Sequence, residues 1–121
     1  MKHTEFIAKL FEIEVVSHIV HLQVTGQGSF AAHKALNELY VDIVDLRDRY
    51  VESAQGKYGI FTSYPKTIET KEGTDMLKYI SECVNQIGAH RLELTEGYLQ
   101  QICDDIIELL YSTYYKLKNL K

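Results

Sequence analysis

The sequence predicts an all-α chain folded as a four-helix bundle. Three observations carry that prediction. Apolar residues recur at three- and four-residue spacings through four long stretches, one proline and seven glycines leave those stretches largely uninterrupted, and no isolated strand is easily placed between them. With 121 residues and 45% hydrophobic side chains, the chain has enough apolar surface for one core and too little length for two. Residues 1–121 are therefore read as a single domain.

Each element has its own signal. Residues 4–24 place Phe6, Ile7, Leu10, Phe11, Ile13, Val16, Ile19, Val20 and Val24 at helical spacings, with charged residues filling most of the gaps. This first helix stops at Thr25-Gly26-Gln27-Gly28-Ser29, where glycine supplies turn freedom and Ser29 is placed to cap the second helix. From 30 to about 54, a stripe of Ala32, Leu36, Leu39, Ile43, Leu46, Tyr50 and Ala54 marks that second and longest helix. Gly56 and Gly59 end its regularity. Tyr64-Pro65 and the polar run to Gly73 read as a connector with room for a short helix, since proline keeps Tyr64 out of the helical region. Thr74-Asp75 then caps a third helix bearing Met76, Leu77, Ile80, Val84 and Ile87. Residues 95–120 carry a fourth with Tyr98, Ile102, Ile106, Leu109, Leu110 and Leu117, the break between the two falling at Gly88 or in 94–97.

Charge narrows the function. Thirteen Lys and Arg against seventeen Asp and Glu give a formal charge of -4, and no basic run is present, so DNA binding is not expected. The first 25 residues mix apolar positions with Lys2, Glu5, Lys9, Glu12 and Glu14, unlike a leader or a spanning helix, which points to a cytoplasmic protein with no membrane partner. Cys83 and Cys103 lack zinc-site spacing and read as buried thiols rather than a disulfide. His3 and His90 read as surface residues, and Lys116, Lys118 and Lys121 as favourable charges at a helix end.

The second helix carries another stripe. His33, Asn37, Val41, Val44, Asp48 and Glu52 fall within roughly 100° of one another at helical pitch, polar at both ends and aliphatic in the middle. His33 with Asn37, and Asp48 with Glu52, are i,i+4 pairs, each able to present two donor atoms to a cation. About 22 Å of helix separates the pairs, far beyond a metal-ligand bond of roughly 2 Å. An antiparallel copy related by a two-fold axis near residues 42 and 43 would bring them together, with Val41 and Val44 packed at the axis. His21, before the glycine turn, is placed to complete a nitrogen and oxygen donor set; Glu14, His18 and His21 form a rival cluster on the first helix.

In these residues the sequence resembles the Dps-type mini-ferritins, ferritin-like four-helix proteins that oxidise and store iron. The resemblance lies in His21, the stretch through Gly26 and Phe30 to His33 twelve residues later, then Asn37, Asp48 and Glu52. It covers roughly residues 15–57 and fades beyond. Asn37 stands where that family has an acidic ligand, Leu22 where it has tryptophan, and the basic tail through which some members hold DNA has no counterpart. Short chains of this kind also resemble phage-encoded proteins.

The resemblance implies a ferritin-like bundle forming two-fold dimers and, through them, a dodecamer. It also implies that His21, His33, Asp48 and Glu52 bind Fe(II) across the dimer, Asn37 acting as a weak or outer ligand, and oxidise it to stored Fe(III) with peroxide or dioxygen. No glutamate has a histidine three residues on, which argues against a di-iron site inside one bundle. The alternative expectation is a ferritin-like assembly or partner-binding protein whose metal site Asn37 has degraded; a zinc-stabilised dimer without turnover is a third.

Overall fold

The computed structural model describes residues 1–70 and 74–121 and is built of four helices: α1 (His3–Gln23), α2 (Ser29–Tyr58), α3 (Met76–Glu93) and α4 (Gly97–Asn119). No strand occurs among the described residues. Helix α1 packs on α2, α2 on α4 and α4 on α3, while α1 and α3 approach only slightly through their backbones. Every neighbouring pair is antiparallel. Glu14 of α1 meets Arg47 of α2, Glu38 of α2 meets Lys116 of α4, Arg91 of α3 meets Asp104 of α4, and Glu12 of α1 meets Tyr79 of α3. Two short hairpins, α1/α2 and α3/α4, are thus joined by one long crossover between Tyr58 and Met76.

Large side chains fill the wider α1/α3 gap. Phe6 stacks on His90 at 4.1 Å between ring centres, and Tyr79 donates its hydroxyl to Glu12 at 2.6 Å. Phe6, Leu10, Leu36, Ile43, Ile87, Leu99 and Ile106 are among the fully closed side chains of one continuous core. Each large apolar side chain so buried contributes about 1.5–3 kcal/mol. Cys83 and Cys103 are both buried and make no disulfide, as their spacing suggested.

The boundaries differ from the sequence reading at two places. Ser29 does not cap α2: the cap position is Gly28, at φ +81°, and Ser29 is the first helical residue, donating its N–H to Gly26. The left-handed backbone at Gly26 and Gly28 turns the chain too tightly for a serine cap outside the helix. Gly56 does not stop α2, which runs on to Tyr58 and ends at Gly59, φ +88°. A single glycine inside a helix costs only about 1 kcal/mol, and Tyr58, one half-turn further, donates its hydroxyl to Glu96 at the foot of α4. Of the two breaks the sequence offered between α3 and α4, the one at 94–97 forms, with Gly88 inside α3, and Asp75 caps α3 as expected by accepting from Leu77 and Lys78.

The connector forms no helix among its described residues, and the part of its polar run at 71–73 lies outside them. Phe61 packs on the core and stacks on His3, and Tyr64, Pro65 and Ile68 lie over Ala8, Phe11 and Val51. The crossover therefore lies along the outer side of α1. No described helix is long and apolar enough to cross a membrane.

Candidate functional site

The α1/α2 hairpin brings His21 and His33 together. Counting outward in both directions from the 26–28 turn pairs these two residues across the hairpin, and their rings lie 3.7 Å apart, tilted by 30°. His33 is exposed, and its Nδ1–H donates to the backbone carbonyl of His21 at 3.1 Å. That carbonyl belongs to the last turn of α1, where no helical N–H remains to reach it. The bond fixes the tautomer of His33, because only a protonated Nδ1 can donate to a carbonyl. In the neutral ring this leaves the lone pair on Nε2, which meets no donor among the described residues, the arrangement a metal-binding imidazole requires.

His21 is only 7% exposed, and its Nδ1 is closed from solvent without a hydrogen bond. Burial pulls its pKa below the ordinary value, the neighbouring His33 and His18 lower it further, and the His18 backbone offsets this in part. The ring is consequently neutral near pH 7, so no proton has to leave before it can bind a cation.

Around this pair stand two residues whose roles the sequence did not reveal. His18 stacks face to face on Tyr40 at 3.9 Å, and Tyr40 donates its hydroxyl to Asn37 Oδ1 at 2.5 Å. Asn37 is thus held against Tyr40. His18 lies one helical turn back from His21, and Tyr40 two turns on from His33, so both continue the faces that the histidine pair defines. That spacing is the signal that could have found them. The rival cluster on α1 does not form: Glu14 is taken by Arg47, and His18 by Tyr40.

Asp48 and Glu52 lie near the opposite end of the stripe and do not meet the histidines within one chain. Both are exposed, and Asp48 lies 3.3 Å from Arg47, which also pairs with Glu14 and lies over the ring of Phe11. Among the described residues of a single chain, no three His, Cys, Asp or Glu side chains converge as a metal site. The stripe itself is an open face of α2, with Val41 49% exposed at its middle.

A second histidine cluster occupies the other end of the hairpin and corrects the reading of His3 and His90 as surface residues. His90 is 2% exposed and His3 half-buried. The hydroxyl of Tyr50 lies 2.8 Å from His3 Nδ1 and 2.8 Å from His90 Nε2, bridging α1, α2 and α3. Burial lowers the pKa of His90 to about 4, with the N-terminal ammonium and His3 acting in the same direction. His90 was misread because its polar partner lies forty residues away in sequence.

Fold and site together define a four-helix antiparallel bundle with one long crossover and an open histidine pair at one end of its first hairpin. A family model matches residues 21–117, and the chain belongs to that family, the family of unknown function DUF5856. It is 27% identical over 118 residues to the "Uncharacterized 14.6 kDa protein in mobD-ri intergenic region" of Enterobacteria phage T4, the match covering 96% of this chain and 88% of that one. No solved structure matches.

These findings overturn the resemblance to the Dps-type mini-ferritins. The family model that matches spans the whole His21 to Glu52 stretch that carried the resemblance and is that of a family of unknown function, and no Dps-type or ferritin-like family is detected. The pattern was a weak discriminator for a physical reason. Twelve residues is the separation that a glycine turn gives to two side chains facing each other across a helical hairpin, and i,i+4 polar pairs recur on any exposed helix face.

Proposed function

We propose that this protein binds and oxidises Fe(II) at a site shared between two copies of the chain, His21 and His33 coming from one and Asp48 and Glu52 from the other. The observation that carries the proposal is the open histidine pair: a neutral, buried His21 with an unsatisfied nitrogen beside a His33 whose tautomer leaves Nε2 free to accept a cation. Two imidazoles and two carboxylates form a mixed nitrogen and oxygen donor set that suits ferrous iron. The exposed aliphatic middle of the stripe supports a two-fold contact there, and the single long crossover is compatible with a ferritin-like bundle.

In this proposal the ferrous ion is the substrate. His33 binds it through Nε2 while its Nδ1–H remains on the His21 carbonyl, which holds the ring in place during turnover. The carboxylates of the second copy supply negative charge that favours the ferric product. Two Fe(II), each giving up one electron, reduce one hydrogen peroxide with two protons to two waters, or four reduce one dioxygen with four protons to two waters, and copies assembled into a closed shell would retain the Fe(III). Asn37, engaged by Tyr40, stays at the margin.

Anaerobic Fe(II) titration by calorimetry, followed by admission of peroxide with absorbance recorded, tests the proposal. Asp48→Ala with Glu52→Ala is expected to abolish binding and the ferric absorbance with helicity intact; unchanged iron content in that variant overturns the shared site. A second reading, an assembly protein without turnover, is favoured by the ion pair that engages Asp48 with Arg47. Under it the native chain binds no Fe(II), while Asn37→Asp gains binding.

A further inference from the structure

The α2/α4 face, on the other side of α2 from α1, carries two patches of opposite charge. At the end formed by the start of α2 and the end of α4, Lys34, Lys116 and Lys121 surround a cleft floored by Phe30, Ala31 and Leu120. Lys116 is engaged by Glu38, whereas Lys34 and Lys121 form no ion pair among the described residues. Further along the same groove, a second cleft is lined by Asp42, Asp45, Asp105 and Glu108. Asp105 pairs with Arg49; Asp42, Asp45 and Glu108 form no ion pair among the described residues. Between the two patches, at the outer edge of this face, α4 presents Tyr115, 58% exposed.

We propose that this face binds a second copy of the chain about a two-fold axis near Glu38 and Lys116. The basic patch and the acidic patch are about 12–16 Å apart along α2, from Lys34 to Asp42 and Asp45. An antiparallel copy therefore sets Lys34 and Lys121 of each chain against Asp42, Asp45 and Glu108 of the other, making the same contact twice. Tyr115 of each copy lies level with the axis. Specific interfaces combine aromatic anchors with charges that select orientation in this way. Charge complementarity names the occupant: a chain of net charge -4 repels copies of itself at random, and this juxtaposition turns the repulsion into attraction.

The contact adjoins the stripe that would share the iron site: the centre of residues 34, 38, 42 and 45 is turned about 100° around α2 from that of 33, 37, 41 and 44.

Native mass spectrometry and sedimentation velocity on the full chain read this contact directly. Lys34→Glu with Lys121→Glu is expected to reduce the native mass twofold, and adding Asp42→Lys and Glu108→Lys to that variant restores it. Tyr115→Ala, which changes no charge, is expected to weaken the contact at least tenfold. The wild-type contact weakens as salt is raised, since the patches are exposed. A monomeric wild-type chain, or a charge-reversed chain of unchanged mass, overturns the proposal. Asp48→Ala with Glu52→Ala separates the two faces: retention of this contact's salt-sensitive mass change, with or without iron bound, supports the α2/α4 interface, and its loss overturns it.

Discussion

The two ends of the α1/α2 hairpin carry similar chemistry and differ in whether a shared hydroxyl ties it into the bundle. At one end, His3 and His90 share the hydroxyl of a fully buried Tyr50, and the rings of Phe6 and Phe61 close over them. A buried imidazole nitrogen without a hydrogen bond occurs at both ends, His90 Nδ1 at the first and His21 Nδ1 at the second; what differs is that no hydroxyl is shared at the second end and the exposed His33 spends only Nδ1 on the protein. A histidine that finds a hydroxyl inside the fold ties helices together. One that finds only a backbone carbonyl keeps a nitrogen for something outside. The first kind is expected to matter for stability and the second for binding.

The largest break in that comparison is Tyr50→Ala, which removes the bridge and a buried ring together and is expected to cost about 3–5 kcal/mol in urea unfolding. Acid comes next. His90 is held neutral in the fold with a pKa of about 4, against an ordinary value of 6.5, so the unfolded chain takes up a proton that the folded chain refuses. Its contribution is complete above about pH 6.5 and is lost as pH falls towards 4. Thermal unfolding followed from about pH 7 to about pH 4.5 should show a decline approaching about 3 kcal/mol, flattened in His90→Phe. His21 titrates in the same direction.

Tyr50→Phe keeps the ring and strands two imidazoles, with an expected loss of about 1–3 kcal/mol. The smallest effect belongs to the open end. His33→Ala removes one bond to an exposed helix terminus and is expected to change stability by under about 1 kcal/mol, while Fe(II) affinity measured by calorimetry falls at least tenfold. A large loss of stability in His33→Ala would erase the distinction between the two ends.

The four helices were legible because apolar spacing reports which face each one buries, and Leu36, Leu39, Ile43, Tyr50 and Ala54 are buried where the stripe placed them. Helix ends were less legible. Glycine lowers helix propensity by an amount that a single distant contact, such as Tyr58 with Glu96, can offset, so Gly56 could not signal the end that Gly59 makes with its positive φ. The meeting of His21 and His33 followed from the glycine turn, a local feature. The burial of His90 and the capture of Asp48 by Arg47 depend on how four helices pack. Family was least legible of all, since the residues that suggested one are those that any polar helical hairpin can supply.

The central claim is that the iron ligands come from two chains, and complementation tests it most directly. Chains carrying Asp48→Ala with Glu52→Ala are mixed with chains carrying His33→Ala, unfolded and refolded together, and loaded anaerobically with Fe(II). Neither variant alone should hold iron, and the mixture should recover it, because a mixed dimer contains one intact set of ligands. A mixture as empty as its parents, formed from chains that bind iron when unmutated, would contradict that claim.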